Sequence, residues 1–388
     1  MGIKSLHQIL QEHAPDCYKP THLSNYAFKK IAIDISLFLF KFKASAGDRW
    51  INSFIDLVNC LRKWDIHSIF IYDGKAPLEK FEEQQKRRES QSKQKDNIKE
   101  VEKEIENYEK TGEAGNMMIA ICKKEGLVSL FRKKDVINIS IVKEKLEKMK
   151  NQAISITEND IIMSKKLFDF LKVPYIEAPA EAECFASILC VNGKVDAVLS
   201  EDTDVLAYGA TVFLTKLDIY KGTVVEINFK DVLEGMDMTQ DTFKDLCILL
   251  GCDYNSNVIG YGPKKSYELI KEYKNIEDVI QEMKRLDIQN KEKLKIKLSK
   301  EKNDEEKNKI QKKIDTQFNS DILKYRRCRE MFSVPKEIDF YAPFCGVPDF
   351  EKLGVFLFEN GINYKMETLK KNLDYREIIF DDVYPEES

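Results

Sequence analysis

Three short apolar runs along the chain each end in acidic residues. They are KIAID at 30–34, SIFIYD at 68–73 and VDAVLSED at 195–202. Between the first two, SFIDLVNCLRKW repeats apolar residues such as Phe54, Val58 and Leu61 at the spacing of one helix face. This alternation of strands and helices predicts an α/β fold with a mostly parallel central sheet flanked by helices.

The acids that end these runs are predicted to meet at one edge of the sheet. Parallel strands present their carboxyl ends together, and ligands bind there, so Asp34, Asp73 and Asp202 should share that edge. In an extended chain alternate side chains share a face, which would point Asp202 and Asp204 one way and Glu201 the other. Two like-charged carboxylates on one face favour a bound cation, and Glu201 is expected to be dispensable.

Further acids occupy helix and turn positions. In EAPAEAECFASIL, two glutamates fall in the first turn of a predicted helix, and Asp253 follows the glycine in LLGCDY. Each position alone has an ordinary explanation, because acids favour helix N-termini and aspartate favours turns. Separate explanations for each position do not account for the whole set of seven acids, which comprises Asp34, Asp73, Glu181, Glu183, Asp202, Asp204 and Asp253. Oxygen-only ligands suit Mg²⁺ or Mn²⁺, and two such ions can promote hydrolysis of a phosphodiester.

Charge divides the rest of the chain. Residues 74–156 carry dense mixed charge and few large apolar residues, which predicts exposed helix or loop rather than core. ATVFLTK and GTVVEINF predict a hairpin. Two helical patterns then flank a glycine-rich loop. Residues 284–316 are lysine-rich, and the chain ends in the acidic FDDVYPEES. The segments expected are two parts of one core, 1–73 and 157–239, the charged segment 74–156, the glycine-loop segment 240–283, and a helical or mixed C-terminal segment 284–388.

Composition restricts the possible functions. The formal net charge is −4, so any binding of nucleic acid must come from local basic patches. Nine scattered cysteines without a CxxC pair indicate neither a disulfide framework nor a zinc module and favour a reducing, intracellular compartment. All four histidines lie within the first 67 residues, which disfavours histidine-based metal sites and triads. The sequence pattern predicts neither a signal peptide nor a membrane-spanning segment.

Six motifs together resemble the flap endonucleases of the structure-specific 5′-nuclease (XPG-type) superfamily. They are MGIKSL, IAIDISLFLF, IYDGKAP, PYIEAPAEAECFASIL, SEDTDVLAYG and FKDLCILLGCDY…IGYGPKKSYELI, in family order over residues 1 to about 280. The resemblance implies a PIN-like 5′-nuclease fold with a helical arch and a helix-two-turn-helix motif. It also implies two Mg²⁺ ions, which Mn²⁺ could replace. The first would be held by Asp34, Asp73 and the two glutamates, the second by Asp202, Asp204 and Asp253, with Glu183 between them.

The resemblance also assigns residues that contact DNA. Lys80 and Arg87 match basic arch residues that contact the scissile phosphate, and Phe40 matches an aromatic that stacks on a base, with plain core packing as an equal alternative. Residues matched to further DNA contacts are Gly2, Gly260, Gly262, Lys264 and Lys265. The family often binds K⁺ in the glycine loop, where Tyr261 replaces a small aliphatic residue. The arch segment is longer than is typical, which leaves residues around 100–150 unassigned.

The function implied is a Mg²⁺-dependent 5′ flap endonuclease with 5′–3′ exonuclease activity, acting on branched or flapped DNA in replication or repair. The alternatives are a double-strand 5′–3′ exonuclease, a junction-cutting relative, an RNA-directed nuclease, and a non-catalytic junction binder. The sequence shows no recognisable motif for a sliding clamp and predicts a monomer. The nucleus or another site of DNA replication is the expected location.

Overall fold

The computed structural model describes residues 2–124, 137–301, 303–316 and 318–373. The acidic stretch at the end of the chain, discussed above, lies outside the described residues. The chain divides into two compact units. The first comprises Met1–Asp34, Cys60–Glu79 and Pro174–Cys345, and the second comprises Ile35–Asn59, Lys80–Val173 and Gly346–Ser388.

A single seven-stranded sheet forms the centre of the first unit. Its strands are β1 (Tyr18–His22), β2 (Lys30–Asp34), β3 (His67–Tyr72), β4 (Tyr175–Glu177), β5 (Ala197–Leu199), β6 (Val212–Asp218) and β7 (Thr223–Asn228). Their order across the sheet is β1-β7-β6-β5-β2-β3-β4. The β2, β3, β4, β5 and β6 pairings are parallel, whereas β7 is antiparallel to both β1 and β6. The predicted α/β fold, mostly parallel sheet and β6–β7 hairpin are therefore confirmed.

The central strands are mostly apolar because both faces of the sheet are covered. All six residues of β3 are buried, as are the three of β5, which is the pattern of parallel strands packed on both sides. The register places Asp34 of β2 opposite Ile71 of β3, and Ile33 opposite Leu199 of β5. The ends of these three strands therefore lie level with one another.

Helices make up most of the remainder. In chain order they are α1 (Leu6–His13), α2 (Ile35–Ala46), α3 (Trp50–Lys63), α4 (Phe81–Thr111), α5 (Asn116–Lys124), α6 (Ile139–Gln152), α7 (Glu158–Leu171), α8 (Ala182–Val191), α9 (Asp204–Ala207), α10 (Phe229–Met236), α11 (Gln240–Leu250), α12 (Pro263–Tyr273), α13 (Ile276–Lys300), α14 (Asp304–Asp315), α15 (Tyr325–Met331), α16 (Phe350–Glu359) and α17 (Met366–Leu373). None of the described helices combines the length and the apolar character needed to cross a bilayer.

The charged segment of the second unit contains a small core of its own. Seven apolar residues are buried together between α4, α5 and α6: Ile98, Val101, Ile105, Met118, Cys122, Val142 and Leu146. The expectation that this stretch contributes no core is therefore wrong. Its few apolar residues are spaced so that three helices bury them against one another, a tertiary arrangement that the charge density of the sequence conceals.

Candidate active site

The carboxyl edge of the sheet carries the first two predicted acids. Asp34 is the last residue of β2 and is only 6% exposed. Asp73 directly follows β3, and its carboxylate is exposed. Because β2 and β3 are adjacent and parallel, both residues leave the sheet on the same edge. This is the placement that the strand pattern predicts.

The N-terminus of α8 adds two glutamates beside Asp73. Glu181 is the N-cap residue, Glu183 lies in the first turn, and both are buried. Asp73 Oδ1 accepts a hydrogen bond of 2.9 Å from the backbone N–H of Ala182. Three carboxylates therefore meet where the helix dipole and free N–H groups stabilise negative charge.

Glycine is required where β3 approaches the chain before α8. The backbone N–H of Gly74 donates to the carbonyl of Ala180 at 2.7 Å, and a Cβ on Gly74 would lie 1.9 Å from the carbonyl oxygen of Ala178. A side chain at this position would separate the two segments. The glycine of the YDG sequence thus holds Asp73 against α8 rather than only forming a turn.

Two buried tyrosines orient Glu181. The Tyr254 hydroxyl donates to Glu181 Oε2, and the Tyr208 and Tyr254 hydroxyls are hydrogen-bonded to each other. Burial, followed by the Glu181 charge, raises the pKa of Tyr254 above its usual range, and burial also raises the pKa of Tyr208. Both tyrosines are therefore neutral donors at ordinary pH. Sequence reasoning missed them, although each lies in a quoted motif, LLGCDY or SEDTDVLAYG.

Asp202 and Asp204 reach the site by a different local geometry from the one expected. β5 ends at Leu199, and α9 begins at Asp204, so the two aspartates do not alternate along an extended strand. Instead the chain turns: the Asp202 N–H donates to Ser200 Oγ at 3.1 Å, and the Asp204 N–H donates to Asp202 Oδ1 at 2.9 Å. The prediction that they lie together holds, but the strand geometry behind it is wrong.

Asp204 is a buried acid at this edge whose charged form is disfavoured. It is 2% exposed, and its Oδ1 is buried with no hydrogen-bond partner among the described residues. Burial, followed by the charges of Asp202 and Asp253 and a smaller contribution from Glu183, raises its pKa well above the ordinary value. An unpartnered buried carboxylate oxygen facing other carboxylates is stabilised by a cation.

Gly2 packs directly against these two aspartates. Its φ is +87°, and a Cβ placed there would lie 2.0 Å from Asp202 Oδ1 and 2.5 Å from Asp204 Oδ1. The next segment is tied to α11, because the Lys4 N–H donates to the carbonyl of Gly251 at 3.0 Å. The sequence comparison with the family assigned Gly2 to DNA contact, whereas the structure places it beside the acids.

Asp253 follows α11, whose C-terminus is closed by Gly251 at φ +92°. The Gly251 N–H donates to Cys247 and Ile248 carbonyls, which stops the helix and turns the chain. The negative charge of Asp253 is one of those that raise the pKa of Asp204. The charges of Asp253 and Asp204 therefore interact, and the grouping of Asp253 with Asp202 and Asp204 as metal ligands stays a prediction.

The chemistry of this donor set suits a hard divalent cation. Seven carboxylates lie at one edge, and one of their buried oxygens lacks a partner within the described part of the chain. Within the same residues, however, no three histidine, cysteine, aspartate or glutamate side chains converge closely enough to form a metal-binding group. The residues therefore fit a metal centre in composition, and the number of ions and their individual ligands stay predictions.

Glu201 is directed away from this cluster, as the sequence predicts. Its carboxylate accepts hydrogen bonds from Thr215 Oγ1 at 3.0 Å and from the Lys216 N–H at 3.2 Å. Lys216 has a φ of +52° and lies where the β6–β7 register is irregular. Glu201 therefore anchors the β6 bulge and has a structural contact that sequence reasoning did not foresee.

The predicted arch residues belong to the second unit. Lys80 is the N-cap residue of α4, and Arg87 lies two turns further along the same helix. Arg87 Nε pairs with Glu83 Oε1 at 3.2 Å on the exposed face. The structure thus presents both residues at the start of a long, charged helix, and their contact with a phosphate stays a prediction.

Phe40 lies on α2 with 40% of its surface exposed. Its neighbours Phe38 and Phe42 are buried, with ring centroids 5.6 Å apart. Core packing is therefore excluded as the explanation for Phe40. An exposed aromatic face is available for stacking, which stays a prediction.

The glycine-rich loop between α11 and α12 has open space around both of its glycines, and its contact with a phosphate stays a prediction. Gly260 has φ +86°, Gly262 caps α12, and a Cβ on either glycine would meet nothing within 4 Å. Lys264 and Lys265 are both exposed in the first turn of α12. Tyr261, which replaces a small aliphatic residue, is half-buried. Its hydroxyl donates to the Met283 carbonyl at 3.1 Å and so fastens the loop to α13.

Two family profiles match the segments that carry these residues. The XPG N-terminal domain matches residues 1–94, and the XPG I-region matches residues 172–253. Among solved structures, the catalytic core of Rad2 in complex with DNA substrate superposes with a TM-score of 0.65 over 96% of this chain and 99% of that one, at 21% identity. This similarity establishes the fold.

Curated relatives extend the match over most of the chain. A probable RAD2-like endonuclease, 076L of Invertebrate iridescent virus 3, is 32% identical over 309 residues, or 72% of this chain and 81% of the relative. Flap endonuclease 1 of Heterostelium pallidum is 33% identical over 303 residues, or 74% of this chain and 69% of the relative. Nucleases of this kind generally depend on divalent metal ions. The chain belongs to the XPG-type family of structure-specific nucleases, which includes the flap endonucleases.

Proposed function

We propose that the protein is a Mg²⁺-dependent 5′ flap endonuclease with 5′–3′ exonuclease activity that cuts branched DNA in replication or repair. One observation carries the proposal: the buried Asp204, whose Oδ1 lacks a partner among the described residues, faces Asp202, Asp253 and Glu183 at the edge where Asp34 and Asp73 also end. A cluster of negative charge around a buried, unpartnered oxygen of Asp204 suits a divalent cation and the phosphate that accompanies it.

In this proposal all seven carboxylates hold two Mg²⁺ ions, which when bound supply charge for activating water and for stabilising the developing charge on the phosphate. The chain contributes the positions of the ligands. Tyr254 donates to Glu181 and fixes its carboxylate, while Gly2 and the Asp204 N–H fix Asp202. Ligands held by packing and by hydrogen bonds to their other oxygens need little rearrangement during the reaction.

Substrate contacts are assigned to three other places in the chain. Lys80 and Arg87 stabilise negative charge at the scissile phosphate, and Phe40 stacks on a base. The loop at Gly260 and Gly262, with Lys264 and Lys265, binds a phosphate of the duplex, assisted by K⁺. The exposure of Phe40 and the open space around both glycines support these roles.

The deciding experiment compares four substrates: a 5′-flap DNA, a nicked duplex, a four-way DNA junction and a structured RNA. Each is incubated with Mg²⁺, with Mn²⁺ and with chelator. We expect the flap to be cut fastest and the nicked duplex to release short 5′ products. We expect no cutting of any substrate with chelator. Fastest cutting of the junction or the RNA would instead establish the corresponding alternative, and cutting in chelator would exclude the metal mechanism.

A matched pair of variants tests whether the acids act catalytically. Asp202→Asn should lower flap cutting by at least about 100-fold, because it removes a charged ligand from the site, while duplex binding is retained. Glu201→Gln, the adjacent control, should cut at close to the wild-type rate, because its contacts are to β6. Equal effects of the two substitutions would show that the loss is structural, and unchanged turnover in Asp202→Asn would remove the two-metal assignment. No cutting by the wild type with Mg²⁺ would favour a non-catalytic junction binder.

For the location, we propose a reducing compartment in which DNA is replicated, such as the nucleus. All nine cysteines are free thiols, and eight of them are buried. Buried unpaired thiols persist where glutathione keeps cysteine reduced. The protein is proposed to act as a monomer, and recruitment by a sliding clamp is left to binding assays with the full chain.

A further inference from the structure

The lysine-rich end of α13 is unlike the other charged helices of this protein. From Lys291 to Lys300 the helix carries five lysines and one glutamate. Long charged helices elsewhere in the chain pair opposite charges one turn apart, as Arg87 does with Glu83 and Lys148 with Glu144. The end of α13 does the reverse, since Lys293 and Lys297 lie four residues apart, and like charges at that spacing destabilise a helix.

Three of these lysines form a stripe on one face, defined here as Lys293, Lys297 and Lys300. They follow one another at intervals of four and three residues, and all are exposed. None makes an ion pair with another described residue of the protein, whereas Lys291 pairs with Asp287 at 2.9 Å. The stripe is not electrically isolated, because Lys309 and, more weakly, Lys297 lower the pKa of Glu306 on α14.

Ordinary helix stability explains only part of the stripe. Cations near a helix C-terminus interact favourably with the helix dipole, but only within the last turn. Lys297 and Lys300 are in that turn and Lys293 is not. The core does not explain the stripe either, because the buried residues of α13 are confined to its first half, at Ile276, Val279, Ile280 and Met283. The basic face is therefore an accessory feature, on a chain whose net charge is −4.

The spacing of the stripe matches the backbone of a nucleic-acid duplex. Seven residues of helix span about 10 Å, which is the axial distance covered by about three phosphates of one strand. Single-stranded binding surfaces interleave basic residues with aromatic stacking platforms, and α13 contains no phenylalanine, tyrosine or tryptophan. The surface thus suits phosphates of a duplex rather than unstacked bases.

We propose that the Lys293–Lys297–Lys300 stripe is an additional contact surface for the phosphate backbone of double-stranded DNA. The proposal rests on the proposed function in that the duplex is the arm of the same branched substrate. It supplies a sequence-independent contact in addition to the loop at Gly260. Local basic patches of this kind allow an acidic protein to bind a polyanion.

The test measures the salt dependence of binding by the full chain to a labelled flap substrate with long duplex arms, in chelator. Replacing all three lysines with glutamine should weaken binding and reduce the slope of log K against log salt by about 2.7, because each lost phosphate contact removes about 0.9. Glutamine favours helix, so α13 should persist, and circular dichroism checks this. The corresponding three Lys→Arg changes should keep the wild-type slope.

The control removes the same charge elsewhere. Lys221, Lys230 and Lys336 are exposed lysines outside α13, and their joint change to glutamine should leave both the slope and flap cutting at wild-type values. A slope in the stripe variant equal to that of the control would overturn the proposal. An equal loss on single-stranded DNA would overturn the assignment to duplex. Because binding is measured without cutting, failure of the nuclease assay would contradict the proposed function and leave this result standing.

Discussion

At the scale of single residues, Gly2 occupies a position with no room for a side chain. A Cβ there would overlap the carboxylate oxygens of both Asp202 and Asp204. Gly2→Ala must therefore displace the aspartates or the N-terminal segment. We expect single-turnover cutting of the flap to fall by about 100-fold, since a displacement of about 1 Å at a reacting centre costs that much.

The matched control for this prediction is Gly193→Ala. Gly193 has a similar positive φ of +65°, but a Cβ there would meet nothing within 4 Å. Gly193→Ala therefore introduces the backbone strain of an alanine at positive φ, about 1 kcal/mol, without a clash of the added Cβ. If Gly193→Ala and Gly2→Ala lower the cutting rate equally, strain rather than contact with the carboxylates is responsible.

Asp204 leads to a prediction about stability and pH. Its folded-state pKa is raised by burial and by Asp202 and Asp253, so the folded state holds a proton that the unfolded state has already lost above about pH 3.9. Stability contributed by this group is therefore lost as pH rises from about 3.9 through the raised pKa. In metal-free protein, Asp204→Asn should raise the melting temperature at neutral pH by roughly 2–4 °C for each kcal/mol recovered.

The same substitution should abolish most cutting, so stability and activity change in opposite directions. Thermal unfolding in chelator from pH 4 to 8 checks the first part, and the gap between wild type and variant should close toward pH 4. Added Mg²⁺ should stabilise the wild type more than the variant, because a ligand that binds the folded state shifts unfolding. A wild-type melting temperature that rises with pH relative to the variant would contradict the assignment.

At the scale of elements, the contact between α4 and α5 is a specific joint. Glu104 on α4 accepts hydrogen bonds from the Met117 and Met118 N–H groups, at 3.2 and 2.9 Å, and so caps the N-terminus of α5. A Cβ on Gly115 would lie 2.1 Å from Glu104 Cδ. The glycine makes room for the carboxylate cap, which comes from another helix rather than from the usual N-cap residue.

Glu104→Ala should therefore loosen the small core between α4, α5 and α6. Loss of a helix cap costs about 0.5–2 kcal/mol, and hydrogen exchange should accelerate in α5 and α6 while β2 and β3 keep their protection. The control is Glu106→Ala, because an exposed pair such as that of Glu106 with Lys110 contributes little to stability. Uniform acceleration across both units would show that the three helices do not form a separate cooperative element.

The elements that sequence could predict are those with a strong local signal. β2, β3, α3 and the β6–β7 hairpin follow from apolar runs, helical spacing and a glycine turn. The core between α4, α5 and α6 could not be predicted, because its seven apolar residues are spread over about 50 positions and meet only through tertiary packing. The lysine-rich sequence of α13 and α14 was sufficient to assign both as helix-permissive.

At the scale of the whole molecule, the site is assembled from segments that are distant in sequence. The seven acids come from the ends of β2, β3 and β5, the start of α8 and the end of α11. Sequence pattern identified them because acids at strand and helix ends recur. It could not identify the tyrosine chain behind Glu181, since a buried tyrosine in an apolar motif has no distinctive signal until its hydroxyl partner is located.

The proposed function also assigns catalytic roles to two basic residues at the start of α4, Lys80 and Arg87. Lys80→Ala and Arg87→Ala should each lower the single-turnover rate of flap cutting by about 100-fold, the cost of removing one donor from developing charge. The dissociation constant in chelator should change by less than about tenfold, because one phosphate contact contributes a small part of the binding. Rapid-quench cutting and anisotropy titrations provide the two readouts.

The control for these variants is Arg88→Ala, because Arg88 is exposed on the same helix and follows Arg87 directly. Adjacent residues on a helix point in directions about 100° apart, so a role specific to Arg87 should spare Arg88. Arg87→Lys keeps the charge but not the planar guanidinium, and partial rescue would indicate charge stabilisation over bidentate geometry. If affinity and rate fall by the same factor in Lys80→Ala and Arg87→Ala, both residues bind the substrate uniformly and stabilise no transition state.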